Sequence, residues 1–423
     1  MNASVWAEDL ADLHCPSAVV PTDADTVIIG AGYTGLNAAR ELARSGQRVV
    51  VFNKDSIGDG ASGINFGSAA LGVAAPYRAI CARYGKAFAR SVAELAGKVL
   101  EEFCQLICRE AIDCDLQKTG HITIALNRGQ LTRLEETKRK WDSFSDCGLV
   151  LLSKDKVKQY LDVDRVCGGL LNADSYSLNP AKYLAGLFNA AVLAGATVLE
   201  HAPISDIQRI GPGLFESRCA NALIRSKHVV VCTDGCPMPG FKPSQRGIVP
   251  VNSYIIATGP LTDSQARLIS RRVFWTAHTV PYYFRLTASN RLLFGSRKNI
   301  AAKPSKSRDT AELIAGMNTV LPFTDGIPVT HSWSGPLGFT FDRLPHIGVA
   351  DGIHYALGYC GKGIPWSAHC GIAVANLIKG VVKPEAVVLT PIVQPLLYHG
   401  SAWFLRPLSW YYRSKDALIA LKQ

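Results

Sequence analysis

The spacing of apolar positions changes twice within the first fifty-odd residues. Val27 to Ile29 form a β-branched run, Leu36, Ala39, Leu42 and Ala43 then recur at helical spacing as far as Gly46, and Val49 to Phe52 open a second run. Short apolar runs on either side of a 3.6-residue period predict strand, helix and strand, a βαβ unit. Further on, residues 86–111 are amphipathic and helical, Gly120 to Leu126 alternate as a strand does, and Leu131 to Phe144 carry the mixed charges of a solvated helix. Asn179 to Gly195 predict a helix with Pro180 in its first turn and glycine at its end.

Short strands are expected around Val198, Ile204–Ile207, Leu214–Arg218 and Leu223–Ile224, followed by a buried run from Val229 into Thr233-Asp-Gly235. The segment from about 246 to 300 is strand-rich, with Ser289-Asn-Arg a turn signal between two strands. Residues 1–24 lack periodicity and contain Pro16 and Pro21, so they read as an extended leader on the surface. The chain thus leaves and re-enters its first domain twice.

Gly30, Gly32 and Gly35 fall between the first strand and its helix in G-x-G-x-x-G spacing. In that context Gly30 permits a tight turn, Gly32 lets a pyrophosphate approach the backbone and Gly35 packs helix on sheet, while free N–H groups at the helix start hold the anion. At the end of the second strand, where an acid would accept two hydrogen bonds from an adenosine ribose, stand Asn53 and Lys54. The nucleotide motif is therefore intact except at its ribose clamp. Four more glycines, Gly58, Gly60, Gly63 and Gly67, follow within ten residues. A backbone this bare suits a large flat ligand lying against it, which favours FAD over NAD.

Composition narrows the class. The 423 residues suit two domains, and 48% hydrophobic against 19% charged residues describe a packed globular protein. No stretch has the order of a signal peptide and no apolar run approaches the ~18 residues of a membrane span, so a cytoplasmic location is expected. The twelve cysteines are scattered without a C-x-x-C pair and read as reduced thiols, with no metal expected. The formal charge of +11 is the one oddity. Its densest basic cluster, Arg297 to Arg308, has no acid or aromatic residue in it and reads as a solvated loop.

The stretches Gly60-Ala-Ser-Gly63, Phe284 to Gly295, Trp333 to Gly348, Gly358 to Gly363 and the terminal Trp403 to Tyr412 carry a resemblance. Over roughly residues 25–412 the chain resembles the FAD-dependent amine and amino-acid oxidases of the D-amino acid oxidase superfamily, and within it the gamma-glutamylputrescine oxidase group. The resemblance implies an α/β Rossmann-type FAD-binding domain, a glutathione-reductase-like nucleotide fold, with a second α+β substrate domain built on an antiparallel sheet. The FAD-binding domain would be discontinuous, over 25–85, 165–245 and 330–395. The substrate domain would take 86–164 and 246–329, leaving the leader 1–24 and a C-terminal segment 396–423.

The implied activity is oxidation of the C–N bond of an amine or amino acid by hydride transfer to FAD, followed by imine hydrolysis, with dioxygen or another electron acceptor completing the cycle. By position, Gly30, Gly32 and Gly35 would face the pyrophosphate, and Ser62, Gly63, Asn65 and Gly67 the ribityl chain and ring. Ile204 would meet the adenine through its main chain, and Thr233 and Gly235 the phosphates. Gly361, Lys362, Gly363 and Ile364 would place N–H groups at the flavin pyrimidine edge, where negative charge develops. Three positions depart from the group. Ile64-Asn-Phe-Gly67 replaces Arg-Asn-Gly-Gly, Lys362 stands between two late glycines, and Asn53 replaces the acid. Gly335 to Thr340 contain no cysteine for a covalent link, so the cofactor would be non-covalent.

For the chemistry itself the candidates are Lys362, which could stabilise the flavin edge or grip a carboxylate or else turn to solvent, and Arg285 and Arg297, either substrate cations or ordinary strand-face arginines. Tyr254, Tyr282 and Tyr283 could wall an amine pocket or simply pack, and His121 reads as a core or surface histidine. Two other function classes remain open at this level: a tRNA-modifying or nucleic-acid-associated flavoenzyme, suggested by the charge, and a catalytically impaired flavin-binding protein, suggested by Asn53 and Ile64. No basic run is interleaved with aromatics as base stacking requires, so no nucleic-acid partner is expected.

Overall fold

The structure is a computed structural model that describes residues 4–11, 13, 15, 19–142, 148–297, 306–381 and 388–421. Two eight-stranded sheets organise it. In the first, His346–Ala350, Ile353–Leu357, Ala222–Val231, Asp23–Ile29, Val49–Phe52 and Thr197–Leu199 lie in that order. The contacts from Ile353–Leu357 across to Thr197–Leu199 are all parallel. Buried on both faces, these strands read as unbroken apolar runs: Val49–Phe52 is wholly buried, and Val229, Val230 and Val231 are fully inaccessible.

The helix Tyr33–Arg44 buries ten of its twelve residues against this sheet and the helix Gly363–Lys379. The strands Ile204–Gly211 and Leu214–Cys219 form an antiparallel excursion that returns through Ala222–Val231 to the centre of the sheet. The two pieces expected around Leu223 and Val229 are this one strand: alternating polar residues Arg225 and Lys227 mark where one of its faces is wet.

The second sheet runs Val329–Phe339, Val249–Pro260, Arg291–Ser296, Tyr282–Leu286, Val273–Thr276, His121–Ala125, Gly168–Asn172 and Leu149–Ser153. All its contacts are antiparallel except that between Val273–Thr276 and His121–Ala125. It therefore draws Gly168–Asn172, and all of Val329–Phe339 but its first residue, from stretches that the sequence division had assigned to the nucleotide domain. Both crossings fall at edges of that division, where a strand of either sheet presents the same apolar pattern.

Expected helices appear at Lys86–Arg109, Arg128–Asp142 and Pro180–Leu193. The last is capped by Asn179, whose side chain accepts from the N–H groups of Ala181 and Lys182. Phe144 and the basic residues from Lys298 to Lys303 lie outside the described residues. The leader is more than surface cover. It forms a short turn of helix at Ala7–Leu10, and Trp6, only 5% exposed, packs among residues of the second sheet.

Candidate functional site

The parallel strands of the first sheet end in turns rich in glycine, and the second sheet stands opposite those ends. Between them lies a cavity with about 1080 Å³ of empty space, its open mouth included. Its position outside the carboxyl ends of parallel strands is where open α/β sheets place ligands.

On the first-sheet side the lining is mostly backbone. Gly32 and Thr34 belong to the loop after Asp23–Ile29 and to the helix Tyr33–Arg44, which begins at Gly32 without a side-chain cap. Gly30 has φ +107° and packs so closely that a Cβ there would stand 2.8 Å from Cys232 O. Gly35 buries against Gly30 in the same turn. Ser62 accepts a hydrogen bond from Tyr33 N (3.1 Å), tying the second glycine stretch to the first. Asn65 donates to Tyr33 Oη, Ala61 O and Ser62 O and accepts from Gly67 N, so one side chain shapes the whole turn. Gly63 is buried behind it.

The strand Ala222–Val231 delivers Thr233, Asp234 and Gly235. Thr233 Oγ1 is buried with no hydrogen-bond partner among the described residues. Gly235 packs against Pro336 O. Asp234, which sequence reasoning passed over, lines the cavity and accepts from Gly338 N and Gly358 N, both at 2.9 Å. Burial pushes its carboxyl above the ordinary aspartate value, against the pull of those N–H groups toward the anion. The only advance signal for this clasp was the acid between Thr233 and Gly235.

Asn53 is not an idle substitute. Its Oδ1 accepts from Ala31 N (3.1 Å), and its Nδ2 donates to Asp55 O (2.8 Å) and Ser56 O (3.2 Å). It holds the first glycine loop to the end of Val49–Phe52, which leaves one lone pair of Oδ1 for a ligand. Ile204 opens the neighbouring strand, and Ala202 N donates to Asn53 O (2.9 Å), so both sit at the same corner. Lys54 is exposed beside Asp55 and does not line the cavity.

Gly361, Gly363 and Ile364 line the cavity at the start of the helix Gly363–Lys379. Gly361 has φ +83°, and the tip of Arg297 occupies the place a Cβ would take, 2.6 Å away. Lys362 departs from expectation in its main chain: its N–H donates to Tyr359 O (2.9 Å) and is not free for a ligand. The first-turn N–H groups of Gly363 and Ile364 have no acceptor within their own helix.

On the other side the lining is side chains. Phe66, Trp275, Tyr283 and Trp333 enclose the space, and Trp333 Nε1 donates to Ile64 O (2.8 Å). Phe66, in place of a glycine, meets the Tyr283 ring edge-on with centroids 4.8 Å apart. Of the three tyrosines that could wall a pocket or simply pack, Tyr283 lines the cavity, whereas Tyr254 and Tyr282 do not. Ser253 and Ile255 face the cavity from Val249–Pro260, and the alternation of a strand turns Tyr254 into the opposite core, where burial pushes its hydroxyl up to about 12. Tyr282 packs on that same far side against Phe294.

The three cations separate by role. Arg285 is 5% exposed and spends its N–H groups on Phe66 O (2.9 Å), Leu178 O (2.8 Å) and Leu286 O (3.3 Å). It clamps the loop behind Phe66 and does not reach the cavity; burial lowers its guanidinium value to about 10. Arg297 lines the cavity over the Phe339 ring. Lys362 does not turn to solvent: its Nζ stands 5.9 Å from the centroid of Trp275. Burial, then the charge of Arg297, lowers its ammonium value to about 8. Neither Arg297 nor Lys362 pairs with an acid among the described residues. His121, with Nδ1 2.8 Å from Ser175 Oγ, is pushed down to about 3 by burial and by Lys362, so it is neutral.

The residues fit a bound dinucleotide. A helix start without a side-chain cap, a Thr233 hydroxyl unpartnered among the described residues and a bare second glycine turn line or border one cavity. The sequence profile of the FAD dependent oxidoreductase family matches residues 25–377. A probable oxidoreductase, OrdL, of Haemophilus influenzae is 31% identical over 377 residues, which span 87% of this chain and 86% of that protein. The gamma-glutamylputrescine oxidoreductase of Escherichia coli is 29% identical, covering 84% of each. Among solved structures, glycine oxidase from Geobacillus kaustophilus superposes with a TM-score of 0.73 at 20% identity, over 89% of this chain and 99% of that one. The chain belongs to the FAD-dependent oxidoreductase family, and its cofactor is FAD.

Proposed function

We propose that this enzyme oxidises the C–N bond of an amino acid or another amine that carries a carboxylate. The observation that carries the reading is that Arg297 lines the cavity with its tip against Gly361, next to Lys362, and that neither cation pairs with an acid among the described residues. Like charges held together are costly until an anion joins them. Arg297 would take the carboxylate through its planar fork. Phe66, Tyr283, Trp275 and Trp333 would exclude water and hold the carbon next to nitrogen in line. FAD, when bound, supplies the hydride acceptor. Asp234 is committed to main-chain N–H groups and does not serve as base, so the ammonium proton would leave to solvent. The resulting imine hydrolyses to carbonyl and amine.

Gly30, Gly32, Gly35, Thr233 and Gly235 would surround the phosphates, Ser62, Gly63, Asn65 and Gly67 the ribityl chain and ring, and Ile204 and Asn53 the adenosine end, all without a covalent link. In this reading the first sheet is the FAD-binding domain and the second the substrate domain, the enzyme works in the cytoplasm, and dioxygen or another acceptor takes the electrons. The relatives named for glycine and for gamma-glutamylputrescine agree with a carboxylate-bearing amine. Anaerobic bleaching of the flavin by amines matched with and without a carboxylate tests this. The acidic member of each pair should bleach at lower concentration; equal concentrations for both members would refute the role of the cation pair.

A further inference from the structure

In the turn 64–67 each successive carbonyl is taken by a donor from outside the turn. Trp333 Nε1 donates to Ile64 O (2.8 Å), Trp6 Nε1 to Asn65 O (3.0 Å), Arg285 Nε to Phe66 O (2.9 Å) and Leu178 N to Gly67 O (3.0 Å). One of these donors, Trp6, belongs to the leader. It is fastened by more than its own bond. The Arg285 guanidinium lies 5.5 Å from the centre of the Trp6 ring and 5.5 Å from that of Phe66, within cation–π reach of both. Close by in the leader, Asp9 accepts from Asn179 Nδ2 (2.8 Å), and Leu10 Cδ1 occupies the place that a Cβ on Gly58 would take.

The bond from Trp6 sets the direction of one peptide unit. Asn65 and Phe66 line the cavity, whereas Trp6 lies behind them and does not. The described peptide bonds are all trans, and a planar trans unit points its C=O and its N–H to opposite sides. With Asn65 O drawn to the indole, Phe66 N–H points away from Trp6, toward the cavity. It has no acceptor among the described residues, although Phe66 is buried, while the next N–H, that of Gly67, is taken by Asn65 Oδ1. An N–H left open at a buried residue is a donor kept for a ligand.

We propose that Trp6 is a positioning residue for the cofactor: its indole N–H fixes the Asn65–Phe66 peptide so that Phe66 N–H faces the flavin end of bound FAD. The inference rests on the placing of residues 62–67 at the ribityl chain and ring, and is independent of the substrate. Without the indole donor the peptide can turn, and binding must order it again. Trp6→Phe keeps a ring beside Arg285 and deletes the N–H. Dissociation constants for FAD and for ADP, which has adenosine and phosphates but no flavin, would be measured with wild-type protein and W6F. FAD should bind W6F roughly three- to tenfold more weakly, the worth of one hydrogen bond, and ADP with unchanged affinity. Equal weakening of both ligands would make Trp6 a general prop of the fold and overturn the proposal, as would wild-type affinity for FAD. Should W6F fold too poorly to bind ADP, amide exchange on the wild-type protein decides. FAD should slow exchange at Phe66 N–H, and ADP should not. Exchange there that FAD leaves unchanged overturns the proposal and withdraws the 62–67 turn from the ring, while the carboxylate reading still stands or falls on flavin bleaching.

Discussion

On the first-sheet side the cavity is closed by backbone: glycine turns at 30–35 and 58–67, the helix starts at Tyr33 and Gly363, and side chains such as Asn53, Ser62 and Asp234 whose bonds go to main-chain atoms. On the second-sheet side it is closed by the side chains of Trp275, Tyr283, Arg297 and Trp333, brought from four different strands or strand ends. The first wall reads a ligand through N–H groups, which every residue but proline supplies, so its identity lies in where the chain turns. The second wall reads a ligand through charge and shape, so single substitutions should redirect it. If the two walls are independent, a change on one should leave the other's ligand alone.

The largest expected effect tests that independence. Arg297→Met removes a charge-assisted pair of hydrogen bonds, each worth ~1.5–3 kcal/mol. Affinity for carboxylate-bearing substrates should then fall roughly a hundredfold or more. FAD affinity should be unchanged. Titrating both ligands against the variant checks this, and loss of FAD together with substrate would show that Arg297, pressed against Gly361, supports the first wall as well.

Lys362→Met should cost less, about tenfold in the same affinity at neutral pH, because an ammonium is a point charge on a flexible stem. Its signature is the pH profile. With its value lowered to about 8, Lys362 is charged below that pH and neutral above it. Wild-type affinity for acidic substrates should fall as pH rises through about 8, and the variant should lack that limb. The stability linkage has the opposite sense. Between about 8 and the ordinary lysine value of ~10.4 the unfolded chain holds the extra proton, so stability from this group rises with pH. An unchanged pH profile in the variant would remove Lys362 from the substrate wall.

The same contrast explains what the sequence disclosed. Gly30, Gly32, Gly35 and the 58–67 turn were legible because a βαβ unit is local, and its punctuation by glycine is tied to backbone geometry. Arg297 was found, but nothing separated it from Arg285: both were read on neighbouring strands, and only packing shows that one spends its donors on Phe66 O, Leu178 O and Leu286 O while the other has no such bond among the described residues. Tyr254 was misplaced by one position. A strand's faces alternate, and pattern alone does not say which face of Val249–Pro260 meets the ligand when both are buried. Asp234 was missed because its partners, Gly338 and Gly358, lie more than a hundred residues away. Trp6 was missed because a segment without periodicity gives no hint that one of its side chains fills a core.

The smallest effect concerns the position where the first wall departs from its own pattern. An acid at Asn53 would accept two ribose hydroxyls, so Asn53→Glu looks like a simple repair. The structure makes the exchange two-sided. Glutamate keeps an acceptor for Ala31 N and adds a charge-assisted bond of ~1.5–3 kcal/mol, where the amide offers ~0.5–1.5. It also deletes the two Nδ2 donations to Asp55 O and Ser56 O, which shape the turn at the adenosine corner. FAD affinity should therefore rise only a few-fold, while the apoprotein loses on the order of 1 kcal/mol of stability. Equilibrium dialysis of FAD and denaturant melts of the apoprotein measure the two halves separately. Tighter FAD binding with unchanged apoprotein stability would mean that Asn53 is not a clasp. A less stable apoprotein with no gain in FAD affinity would mean that the ribose never meets this residue.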